Sequence, residues 1–68
     1  TMVEGYYICA MASYQLGQFT AAIDFCDRGL EISNQIAVLF QLRACANMSL
    51  GKYDLAMKDY HEGCRLFP

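Results

Sequence analysis

Apolar residues recur along this chain at intervals of three and four. Phe40, Ala44 and Met48 fall four residues apart, and Ala56, Met57, Tyr60 and Cys64 share a helical face in the same way. A half-buried strand would alternate apolar and polar residues with period two, and that alternation is absent. The pattern predicts four helices, over about residues 3–15, 20–32, 37–49 and 54–66. Gly17 and Gly51 mark the turns inside each pair, where a residue free to adopt positive φ costs least. Thr20 and Asp54 follow those turns, and their side-chain oxygens suit the caps of the next helices.

The chain repeats itself. Leu16-Gly17-Gln18-Phe19 returns as Leu50-Gly51-Lys52-Tyr53, an offset of 34 residues. The same offset aligns Ala10 with Ala44, Ala12 with Ala46, Ala22 with Ala56 and Gly29 with Gly63. Tyr6 falls on Phe40, Ile8 on Leu42 and Ile32 on Leu66. Small residues at matched places let two helices approach closely, and glycine within a helix costs about 1 kcal/mol relative to alanine. Its presence at one place in both repeats predicts close packing there. Phe19 and Tyr53 are expected to fill the space beside the turns.

A period of 34 with these residues resembles the tetratricopeptide repeat. Tyr6 and Phe40 stand at that family's tryptophan place, Ala10 and Ala44 at its glycine place. Ala22…Cys26 and Ala56…Tyr60 follow its A-x3-F element, and Pro68 stands at its closing proline, where repeat one has Asn34. Cys9 and Arg43 at the leucine place, and Ser13 and Asn47 at the tyrosine place, depart from the pattern. The resemblance implies an all-α fold of four antiparallel helices in two helix–turn–helix repeats, 3–36 and 37–68. It also implies an α-solenoid whose first helices line a concave groove for a protein or peptide partner. Members act as scaffolds and adaptors. Thr1 in first place suggests a segment of a longer repeat array.

On that geometry the groove carries Tyr7, Met11, Tyr14 and Gln15 from repeat one, and Gln41, Cys45 and Met48 from repeat two. Glu4, Val38 and Ser49 flank them. Methionine adapts its shape to apolar partners, and tyrosine adds apolar area with one polar handle. The expected ligand is an apolar or amphipathic segment. Covering ~400 Å² of apolar surface would contribute ~10 kcal/mol gross. Ordering and rigid-body entropy offset most of that, leaving a site of micromolar order. The same residues would serve equally well to pack on flanking helices. A subgroup of the family grips C-terminal carboxylates with basic residues and asparagine, but the matching places hold Tyr7, Met11 and Leu42. A carboxylate clamp is therefore not expected.

Composition narrows the partner. Hydrophobic residues make up 56% of the chain, above the ~45–50% usual for soluble domains, which suggests apolar surface awaiting a partner. Five basic against seven acidic residues give a net charge of −2, and the basic residues are scattered, so nucleic acid is not an expected partner. No run approaches the ~18 apolar residues of a membrane span. Cys9, Cys26, Cys45 and Cys64 lack the close pairs of a zinc site, so neither metal nor cofactor is expected. They read as packed, reduced thiols of an intracellular, cytoplasmic protein.

Arg43 replaces Cys9 and Asp59 replaces Phe25 between the repeats, so the two charges appear together. An Arg43–Asp59 contact between the helices of repeat two is predicted, against the alternative of two solvated charges. Asp24, Asp27 and Glu31 read as a solvated face, and His61 as a surface residue. No glycine-rich phosphate loop or nucleophile–base pair is present, so no enzyme is expected. A thiol sensor at Cys45 is a weaker reading, since it needs a reactive, low-pKa thiol. The alternative to an adaptor is a structural unit that forms a homo-oligomer, or packs on flanking repeats, through exposed repeat edges.

Overall fold

The computed structural model describes residues 2–34 and 36–66. It contains four helices: α1 Met2–Gln15, α2 Phe19–Ile32, α3 Ala37–Ser49 and α4 Tyr53–Leu66. α1 packs on α2 and α3 on α4, and α2 lies against α3, while α1 barely meets α3. The molecule measures 30 × 28 × 16 Å. Pro68 lies outside the described residues.

The two turns inside the pairs are built alike. Gly17 and Gly51 adopt φ of 79° and 78°. The Gln18 N–H reaches the Ser13 carbonyl at 2.9 Å and the Gly17 N–H the Tyr14 carbonyl at 3.0 Å. In repeat two the Lys52 N–H reaches Asn47 at 2.8 Å and the Gly51 N–H reaches Met48 at 3.0 Å. This paired 6→1 and 5→2 closure is the Schellman motif, which needs the left-handed residue that glycine supplies.

That closure corrects the expected caps. Gln18, which closes the turn after α1, is already the residue before α2, and it makes no side-chain cap bond. Thr20 and Asp54 are second residues of their helices, two places past the cap position. Asp54 still sits in the first turn of α4, where its charge favours the helix dipole.

Small residues set the packing. Ala10, Ala22, Ala44, Ala46 and Ala56 are fully buried. Ala10, Cys26 and Leu39 form the centre, with Val3, Tyr7, Phe25, Leu30, Ile36 and Leu42 packed around it. Leu39 is the largest fully buried side chain, and it sits over Gly29. A Cβ at Gly29 would lie 2.7 Å from Leu39 Cδ1 and 3.5 Å from Tyr6 Cβ. The absent methyl is the space that the second repeat uses to dock on the first. At Gly63 a Cβ would meet Gln41 Cγ at 3.2 Å, so there the glycine serves the contact of α4 with its own partner, α3.

Two expectations fail in part. Phe19 meets Tyr14 edge to face at 5.4 Å, but Tyr53 is 61% exposed and fills no space beside its turn. Of the cysteines only Cys26 is buried. Cys45 is half-buried, and Cys9 and Cys64 are exposed, because their helix faces have no opposing helix among the described residues.

Candidate functional site

The groove residues proposed from the sequence lie on two helices, at matching places in the repeats. Tyr7, Met11, Tyr14 and Gln15 are on α1; Gln41, Cys45 and Met48 are on α3. Gln15, Gln41 and Met48 are exposed, and Met11, Tyr14 and Cys45 are half-buried. Tyr7 packs against the central cluster, so part of its ring serves the core. Tyr14 engages Phe19.

Cys45 reaches α4, where its Sγ lies 3.4 Å from the Tyr60 hydroxyl. That hydrogen bond, with burial and the neighbouring Cys45 and Tyr14 behind it, raises the Tyr60 pKa above its ordinary value. A phenol held in its neutral form beside the thiol is not the cationic neighbour that creates a reactive thiolate.

Arg43 joins three helices. Its Nε and Nη2 donate to Asp59 Oδ2 and Oδ1 at 2.9 and 2.8 Å. Its Nη1 donates to Asp27 Oδ1 at 2.7 Å. The predicted Arg43–Asp59 contact is therefore present, and a second partner extends it into repeat one. Asp27 is thus not simply part of a solvated face, whereas Asp24 pairs with Arg28 one turn along the helix. The sequence signal was spacing: both acids stand 16 residues from Arg43, one on the helix before α3 and one on the helix after. Asn47 Nδ2 adds a long contact to Asp59 at 3.4 Å. The guanidinium also lies 5.5 Å from the Phe40 ring centre. Hydrogen bonding to Asp59 raises the Arg43 pKa further, against burial.

Above this charge cluster opens a cleft of about 500 Å³. Ile23 and Asp27 of α2 form one wall, Leu55, Lys58 and Glu62 of α4 the other, and Phe40 and Arg43 of α3 the floor. It shares no residue with the first-helix groove. Sequence reading missed it because its walls come from second helices of different repeats, which no local pattern connects.

Glu62 bonds Arg65 on the same helix, which lowers its pKa. Among the described residues no cluster of three or more His, Cys, Asp or Glu is placed to hold a metal. No described helix is long and apolar enough to cross a membrane.

A family model described as tetratricopeptide repeat matches residues 3–36 and again 37–68. No curated protein and no solved structure matches the chain.

Proposed function

Because the chain belongs to the tetratricopeptide repeat family, whose non-enzymatic units mediate protein–protein contacts, we propose that it binds a partner segment on its first-helix face. The ligand is an apolar or amphipathic stretch lying across Met11, Tyr14, Gln15, Gln41, Cys45 and Met48, with Tyr7 at the base. The observation that carries this reading is exposure: Met48, a large apolar side chain, is 38% open beside exposed amides that can fix a backbone. In this role the module is an adaptor. Free thiols on its surface fit a reducing, cytoplasmic setting.

The four methionines provide the test. With methyl-labelled methionine, an amphipathic helical peptide should shift the Met11 and Met48 signals and leave Met2 and Met57 in place. Shifts confined to Met2 or Met57 would refute the groove.

A second reading, self-association, has its own support. Leu42 and Ile36 pack against the central cluster, while their counterparts Ile8 and Met2 are 64% and 71% exposed on α1. A second copy or a flanking repeat covering that edge would bury them. Gly5 stands where Leu39 stands in repeat two, so the covering surface would have to supply its own knob. Sedimentation equilibrium over a wide concentration range, with Ile8→Glu alongside, tests this. An association that Ile8→Glu abolishes supports it, and a monomer throughout removes it.

A further inference from the structure

We infer that this chain associates head to tail, with α4 of one copy docked on α1 of the next as α2 docks on α3 within the chain. The inference rests on the self-association reading above and commits it to one arrangement and one occupant, a second copy.

The argument comes from the repeat. An offset of 34 carries α1 onto α3 and α2 onto α4, so the chain holds both halves of its own α2–α3 contact a second time, at the two ends of its row of helices. Both of these halves are open. Leu30 packs against the central cluster, but its counterpart Cys64 is exposed. Ile23 is half-buried, but its counterpart Met57 is 66% exposed. On α1, Ile8 and Met2 are open where Leu42 and Ile36 are packed. Docking α4 of one copy on α1 of the next covers both faces, whereas copies meeting α1 to α1 would leave α4 bare.

Side-chain size selects a second copy. Within the chain, Ala10, Cys26 and Leu39 form the centre of the contact, and Leu39 fills the space over Gly29. Across copies the same places are held by Ala44 and Tyr60 and, on the next copy, Gly5. The bulk lost at Gly5 returns at Tyr60: a small side chain meets leucine in one contact, and a large one meets glycine in the other. A Cβ at Gly5 would have nothing within 4 Å, so the place is open to an incoming ring. Tyr60 is half-buried, and its hydroxyl is already bonded to Cys45. Charge is consistent with this. Asp27 bonds Arg43 across the α2–α3 contact, and the corresponding His61 and Cys9 bring neither carboxylate nor guanidinium, so no such ion is buried without a partner. Each copy presents one face of each kind, which makes the contact heterologous and able to repeat from copy to copy.

Two variants of the whole chain test the arrangement by sedimentation equilibrium under reducing conditions. Ile8→Glu spoils the α1 face and leaves α4 intact; Cys64→Glu does the reverse. Both side chains are exposed, so circular dichroism should match the native chain. Each variant alone should stay monomeric where the native chain associates, and an equal mixture should recover association that stops at the dimer. Association that Ile8→Glu abolishes and Cys64→Glu leaves intact would overturn the head-to-tail arrangement while self-association stands. A native monomer throughout would overturn both. The fit at Gly5 has its own test. Gly5→Leu adds apolar area, yet it should weaken association about tenfold by overpacking the Tyr60 ring. Gly5→Leu/Tyr60→Cys, which restores the pairing of Leu39 with Cys26, should recover it. Tighter association of Gly5→Leu alone would overturn the placement of Tyr60 on Gly5.

Discussion

Arg43 holds Asp59 through two parallel hydrogen bonds, at 2.9 and 2.8 Å, across the helices of the second repeat. The Asp59 side chain is only 9% exposed, and the fork supplies its charged partner. The third bond of Arg43, to Asp27, reaches an acid that is half open to solvent.

This asymmetry orders a mutant series. Arg43→Met leaves Asp59 buried and unpaired, and should cost about 3 kcal/mol. Asp27→Asn loses a solvent-screened contact and should cost less than about 1 kcal/mol. Arg43→Lys cannot reproduce the fork and should fall between them. Urea unfolding of the three variants checks the order. Equal losses would show that Asp27 and Asp59 contribute alike.

The two matched helix glycines should respond oppositely to alanine. Gly29→Ala drives a methyl to 2.7 Å from the fully buried Leu39. Overpacking of ~1–3 kcal/mol exceeds the helix-propensity gain of ~1 kcal/mol, so the melting temperature should fall. At Gly63 the close neighbour is Gln41, an exposed, flexible side chain. It can move aside, and Gly63→Ala should leave stability unchanged or raise it. Thermal melts of the two variants decide this.

Turn glycines behave differently. Around Gly17 and Gly51 there is open space, but φ near 79° strains any residue with a Cβ. Alanine at either place should cost about 1–2 kcal/mol, measured by the denaturation midpoint, although no contact is lost.

Burial pushes the Cys26 thiol up to about 12, with Arg43 opposing and Asp27 and Asp59 adding to the rise. Its ordinary value is 9.0, so between those values the folded state holds a proton that the unfolded state releases. The contribution is complete below about pH 9 and is lost as pH rises toward about 12. Stability should therefore fall more steeply with rising pH in the native protein than in Cys26→Ala, as urea midpoints in that range would show. Near neutral pH an aromatic disulfide reagent should modify exposed Cys9 and Cys64 quickly and Cys26 only on unfolding. Rapid reaction of Cys26 in the folded chain would contradict its burial.

The helices, the two turns and the small-residue positions were legible in the sequence. Each depends on neighbours within a few residues: a 3.6-residue period, a glycine four residues after the Ser13 carbonyl that closes the turn, and small residues at set places in each helix. The 34-residue repeat made them legible twice. The Arg43–Asp59 contact was readable for a related reason, since two charges replaced Cys9 and Phe25 together. The caps were misread by two positions, because in a turn this short the residue closing one helix is already the cap position of the next.

Tertiary structure decided the rest. Asp27 joins Arg43 because α3 is held between α2 and α4, and no pattern in α2 alone marks that acid. Cys26 is buried and Cys9 exposed, though both lie on helices of the first repeat, since only Cys26 faces the second. Tyr53 repeats Phe19 in sequence but stays exposed, with no ring contact among the described residues like the one Phe19 makes with Tyr14. Sequence periodicity fixes which face of a helix is apolar. Whether that face is covered depends on which other helix the fold brings against it.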